Sequence, residues 1–98
     1  MYGTVARMKA KPGMGQQLLD VARSQWEERI PGIVSECIYQ ADADGDEYWL
    51  TVVFESKEAY RKNAESPEQD ARYRKLRALM AADPEWHDGE VVLTAPPK

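Results

Sequence analysis

The sequence predicts an α+β domain of order β-α-β-β-α-β: a four-stranded antiparallel sheet with both helices on one face. Three observations lead there. Strand-like runs rich in β-branched, aromatic or alternating residues stand at both ends and in the middle. Segments with apolar residues at three- and four-residue steps separate them. Pro and Gly fall at the junctions, where neither a ladder nor a helix continues easily.

The first strand spans Tyr2 to Ala10. Tyr2, Thr4 and Val5 favour pleated backbone, and Ala6, Met8 and Ala10 alternate with Arg7 and Lys9. "KPGMG" stops it. Gln16 to Ile30 reads as a helix, since Leu18, Leu19, Ala22, Trp26 and Ile30 form one apolar stripe and Trp26 is expected in the core. Pro31-Gly32 ends it. Ile33 to Ala41 is the second strand and "DADGDE" a turn. Tyr48 to Glu55, "YWLTVVFE", has the strongest strand signal, so the pair forms an antiparallel hairpin.

Ser56 is placed to cap a helical region that runs to about Ala82. Ser66-Pro67 interrupts it, with Pro at the first position of a restarted helix. Tyr73, Leu76, Leu79 and Met80 make its later apolar face. Asp83-Pro84 ends it, and Trp86 to Thr94 is the last strand. This is the ferredoxin-like order. It implies a single domain over residues 1–95, with Pro96 to Lys98 as a polar tail.

Helices on one face leave the other to be covered. In the third strand Leu50, Val52 and Phe54 fall on one face and Trp49, Thr51 and Val53 on the other. Both sets are largely apolar, as in a strand buried on both sides. A second copy packed sheet to sheet is the economical cover, so a homodimer is expected, with Trp49, Thr51 and Val53 at its interface.

Bulk properties exclude several classes. The 98 residues carry a net charge of -4, which disfavours nucleic acid. Arg72, Arg74, Lys75 and Arg77 cluster, but Glu65, Glu68 and Asp70 precede them. One cysteine, Cys37, excludes an internal disulfide and a Cys-based zinc cage. A single histidine makes a His-rich metal site unattractive, and no metal is expected. "DADGDE" resembles the start of a calcium loop, but the twelfth position from Asp42 is Val53, not Glu. "GMG" lacks the spacing of a dinucleotide fingerprint. With no signal peptide and no membrane-spanning run, the expected location is the cytoplasm, with no membrane partner.

The chain resembles the antibiotic biosynthesis monooxygenase (ABM) family of the dimeric α+β barrel superfamily. The residues that carry this are the first strand with "KPGMGQQLLDV", the hairpin "PGIVSECIYQADADGDEYWLTVVFE" and Phe54-Glu55-Ser56-Lys57-Glu58-Ala59. The resemblance spans nearly the whole chain, and its motifs are structural. It implies a dimeric barrel with a small pocket between sheet and helices. It also implies a cofactor-independent monooxygenase acting on a small aromatic or quinol-like molecule with dioxygen. The family's haem-degrading branch is a poor match: Ala6, Asn63, and Arg72 or Tyr73 stand where its Asn, Trp and His are expected. A non-catalytic dimeric module for ligand or partner binding is the alternative, because no clear acid-base constellation is visible. An isomerase or lyase on the same barrel is a weaker third reading.

The catalytic candidates are Asn63, Tyr73 and His87. Asn63 and Tyr73 flank the helix break, where an amide and a phenol can both turn inward to hold a substrate hydroxyl or peroxy oxygen. His87 titrates near neutrality and can serve as a base, although its place beside Asp88-Gly89 at the mouth of the last strand also suits a turn. Tyr39, Tyr60, Trp86 and Arg7 are substrate-binding candidates. Arg7 can balance an anion, and Trp86 is equally suited to anchor the core or the interface.

Overall fold

The computed structural model describes residues 1–95. The chain forms β1 (Tyr2–Lys9), α1 (Gly15–Trp26), β2 (Ile33–Gln40), β3 (Glu47–Phe54), α2 (Lys57–Ala64), α3 (Pro67–Arg77) and β4 (Glu85–Glu90). The strands lie in the order β2-β3-β1-β4, and every neighbouring pair is antiparallel. This is the ferredoxin-like sheet, with the second helical region divided in two. The tail Pro96 to Lys98 lies outside the described residues.

Alternation on β1 and β3 selects the helix-facing side. Ala6, Met8, Tyr48 and Leu50 are buried with Ala10, and Leu18 of α1 and Met80 beyond α3 close over them. Leu18 and Met80 are 1% and 2% exposed. Gly15 opens α1 where a Cβ would stand 2.3 Å from the Tyr48 hydroxyl, so only glycine allows the helix to start this close to the sheet.

α1 ends four residues before the expected Ile30. Glu28 donates to the Gln25 carbonyl and Arg29 to the Trp26 carbonyl, both at 3.1 Å, in a tightened last turn. Arg29 then takes a φ of 55° and Gly32 one of 84°, which turns the chain into β2. Trp26 at the helix end is consequently 47% exposed rather than core.

The break at Ser66-Pro67 is present. Ser56 caps α2 by accepting from the Ala59 N–H at 3.0 Å. Ser66 caps α3 by accepting from the Gln69 N–H at 3.1 Å, and its hydroxyl donates to the Asn63 carbonyl at 2.8 Å. α3 stops at Arg77, short of Ala82, because the next residues return to the sheet. Met80 bridges to Ala10, and Ala81 donates to the Lys9 carbonyl at 2.8 Å.

β4 begins at Glu85 and ends at Glu90, short of Thr94. Glu90 pairs with Tyr2, the first residue of β1. Beyond it Val91 donates to the Met1 carbonyl at 3.0 Å, and the neighbouring strand is then used up. Val92 and Leu93 follow at 92% and 82% exposed.

The opposite face of the sheet carries Val5, Arg7, Tyr39, Trp49, Thr51, Val53 and His87 by the same alternation. The helices lie on the Ala6-Met8-Leu50 side, so no helix covers this one. At its end Arg7 lies between two strands, bonded to Glu47 at 2.7 Å and to Glu85 at 2.9 Å. In the hairpin turn Asp44 accepts from the Asp46 N–H at 2.9 Å and pairs with Lys9, so its carboxylate is engaged in the turn.

Candidate functional site

A cavity of about 460 Å³ lies between the sheet and the helices. That volume is in the usual range for small-molecule sites. Strand register builds its floor in two rows. One is Glu36, Val52, Thr4 and Asp88, running β2-β3-β1-β4; the other is Ile38, Leu50 and Trp86, with fully buried Ala6 between the last two. Leu18, Leu19 and Ala22 of α1, with Asn63 of α2 and Tyr73 and Leu76 of α3, line the helix side. Gln25 donates to the Arg72 carbonyl at 2.9 Å and ties α1 to α3 there.

Four of the sequence candidates meet in this cavity: Asn63, Tyr73, Tyr60 and Trp86. The Ser66 cap turns the chain between Asn63 and Tyr73 so that both reach it. Tyr73 lies against Trp86 with ring centroids 6.5 Å apart at 52°. Tyr60 packs edge-on to Phe54 at 5.4 Å and against Tyr2 at 5.2 Å. Its hydroxyl donates to Asp88 Oδ1 at 2.9 Å. Burial first, and then this bond to a carboxylate, push the Tyr60 pKa up to about 12. At neutral pH Tyr60 is therefore a hydrogen-bond donor and not a base.

His87, Arg7 and Tyr39 lie elsewhere. His87 is inside β4, paired with Val5, on the sheet face away from the helices. The strand starts earlier than expected, at Glu85, so His87 is not at its mouth. Arg7 is held by its two glutamates on that same face. Tyr39 pairs with Trp49 there and is 54% exposed. None of the three lines the cavity, because each is one residue out of phase with the inward set. Trp86 takes the inward phase, opposite to that of Trp49.

Three polar groups of the floor had not been singled out in the sequence: Thr4, Glu36 and Asp88. Thr4 is 5% exposed, and its hydroxyl is buried with no hydrogen-bond partner. Burial raises the Glu36 pKa above the usual carboxyl value, and no other group contributes. The signal for Glu36 was its two-residue spacing from Ile38. Among the described residues, no group of three or more His, Cys, Asp or Glu is placed to hold a metal ion.

Fold and cavity together define a small ferredoxin-like domain with a ligand-sized chamber between sheet and helices. The family model for antibiotic biosynthesis monooxygenase matches residues 1–75, and the chain belongs to that family. It is similar to a Chloroflexus aurantiacus protein assigned as an antibiotic biosynthesis monooxygenase: 28% identity, 97% of this chain and 96% of that one covered, TM-score 0.80. It shares its fold with SnoaB, a cofactor-independent oxygenase from Streptomyces nogalater: 22% identity, 98% and 97% covered, TM-score 0.81. A Nitrosomonas europaea protein assigned as an antibiotic biosynthesis monooxygenase shares the fold, with 17% identity, 95% and 100% coverage and a TM-score of 0.80. No curated protein matches significantly.

Proposed function

We propose that this protein is a cofactor-independent monooxygenase for a small aromatic or quinol-like substrate, working as a homodimer in the cytoplasm. One observation carries this reading beyond family membership. The cavity is largely apolar and aromatic, yet Asn63, Tyr60 and Tyr73 bring hydrogen-bonding groups into it. In such chemistry the substrate supplies the electrons to dioxygen. The protein supplies orientation, exclusion of water and stabilisation of the developing oxyanion. An amide N–H from Asn63 and the hydroxyl of Tyr73 suit that last task. The name of the Streptomyces nogalater enzyme gives a precedent for oxygenase chemistry without a cofactor on this fold.

The dimer rests on the uncovered sheet face. Trp49, Thr51 and Val53 are half-buried without any helix above them, and Val5 is 38% exposed. Exposed Val92 and Leu93 extend the apolar surface past β4. No helix among the described residues is long and apolar enough to cross a membrane.

The test is oxygen uptake against a panel of hydroquinones. Uptake with at least one of them is expected, reduced about a hundredfold by Asn63→Ala, the scale of removing one oxyanion donor, and reduced by Tyr73→Phe. The second reading, a non-catalytic ligand-binding module, is favoured by one observation. The only imidazole lies on the far face of the sheet, and Tyr60 keeps its proton. Ligand binding without uptake across the panel would establish that reading instead.

A further inference from the structure

The floor row of the cavity has a polarity that the apolar walls do not explain. Register places Glu36, Val52, Thr4 and Asp88 side by side across all four strands, each facing the helices. All four line the cavity. Adjacent strands are about 4.8 Å apart, so Thr4 and Glu36, two strands apart, have backbones about 10 Å from each other. Between them stands apolar Val52, with Leu50 and Phe54 on the same strand.

Two independent observations make this row a recognition site. The first is Thr4. Its side chain is 5% exposed, it borders an open chamber, and its hydroxyl makes no hydrogen bond of ordinary geometry, the nearby Tyr60 hydroxyl included. Buried hydroxyls are nearly always bonded, so an orphan facing a cavity implies a group supplied from outside. The second is Glu36. Its carboxyl is partly buried, and neither a hydrogen bond nor a nearby charge shifts its titration; burial acts alone and holds its pKa up. A carboxyl partly buried in a cavity floor with no charged or hydrogen-bonding partner is disfavoured as an anion and suited to meet a polar ligand group. Arg23 borders a smaller neighbouring cavity together with Glu36 and reaches Asp20 at 3.8 Å. At the other end of the row Asp88 is already engaged by Tyr60.

Resting on the reading of this cavity as the ligand site, we infer that Thr4 and Glu36 are the specificity-determining residues, which bind the hydroxyl groups at opposite ends of a fused-ring aromatic diol. One ligand hydroxyl donates to Thr4 Oγ1, the other donates to the Glu36 carboxyl, and the ring system lies over Val52 with Trp86 and Tyr73 beside it. A ligand with methyl ethers in place of both hydroxyls keeps the ring system, adds one methyl at each end and can donate to neither Thr4 nor Glu36.

The test is calorimetric titration of the full-length protein with 2,6-naphthalenediol and with 2,6-dimethoxynaphthalene. The diol is expected to bind at least about tenfold tighter, the scale of one hydrogen bond to a buried polar group. Thr4→Val and Glu36→Leu should each remove most of that preference and leave the diether's affinity unchanged. Both should also raise Tm, since Thr4→Val removes a buried hydroxyl without a partner and Glu36→Leu a partly buried carboxylate. A residue with a merely structural role would lower Tm on substitution, so the two readouts moving in opposite directions are diagnostic. Thr4→Val, an isosteric change, carries the test by itself should Glu36→Leu not fold. Equal affinities for the two probes, or no binding of either, overturn the inference. So does a variant that weakens both probes alike. Diol preference that depends on these residues in a protein without oxygen uptake supports the inference and removes only the oxygenase reading.

Discussion

Tyr60 and Asp88 join α2 to β4 through a 2.9 Å hydrogen bond beside the cavity. The bond and the burial of the ring hold the phenolic proton to about pH 12, against an ordinary value of 10.0. A raised folded-state pKa gives stability that is complete below the unfolded value and lost as pH climbs through the folded one. The protein should therefore lose stability between about pH 10 and 12 through this group. Urea unfolding at pH 8 and pH 11 checks it: the wild type should lose more stability over that interval than Tyr60→Phe. Equal losses would exclude Tyr60 as the source.

Glu36 gives a second pH effect at the opposite end of the scale. Burial raises its pKa, so the folded state favours the neutral carboxyl. That preference is fully present below the unfolded carboxyl pKa and is lost as pH rises through the raised value. Glu36→Gln should stabilise the protein at pH 7 and do so less at pH 4. Thermal melts at the two pH values measure it, and a variant less stable than wild type at pH 7 contradicts the burial account.

Ser66 holds the bend that separates α2 from α3, using one hydroxyl for two bonds. Ser66→Ala should cost about 1 kcal/mol, as N-cap losses do. In a domain of this size that lowers Tm by about 4–8 °C. Ser66→Asp, which can still accept at the cap, should recover most of the loss.

Leu18 is 1% exposed at the centre of the core cluster. Leu18→Ala should destabilise by about 2–5 kcal/mol, toward the lower end where the adjoining cavity lets the site relax. Chemical denaturation gives the value directly.

The two faces of the sheet should respond independently. Val53→Asp places a charge on the uncovered face and should shift a dimer to monomer in size-exclusion chromatography with light scattering. His87→Ala, on that same face, should leave the affinity of cavity ligands unchanged, measured by the same calorimetry. A monomeric wild type at micromolar concentration would remove the dimer, and a loss of ligand affinity in His87→Ala would place the ligand elsewhere.

Much of the fold was legible in the chain because local signals were consistent. Alternation in "ARMKA", the β-branched run "YWLTVVF" and the capping serines Ser56 and Ser66 each named an element, and the structure has them all. The interruption at Ser66-Pro67 was readable because proline at the first position of a helix and serine before it act within one turn. The ends of elements were harder. α1 stops at Trp26 because the chain must turn through Arg29 and Gly32 to reach β2, and β4 stops at Glu90 because β1 begins at Tyr2. Each limit is set by a residue far away in sequence or in space.

The candidate site divides in the same way. Asn63 and Tyr73 could be proposed from the helix break, a local feature. Tyr60, a substrate-binding candidate, stands on the helix before that break. The phase of β2 and β4 could not be read with equal ease. "SECIYQ" and "EWHDGE" are mixed on both faces, and a shift of one residue exchanges those faces. Only pairing with β1 and β3 decided that Glu36, Trp86 and Asp88 point toward the helices while Tyr39 and His87 point away. The sequence by itself determined the order of elements, the core alternation and the family. The tertiary structure decided which polar side chains share a cavity, because strand register is a long-range contact whose cost and benefit no single segment carries.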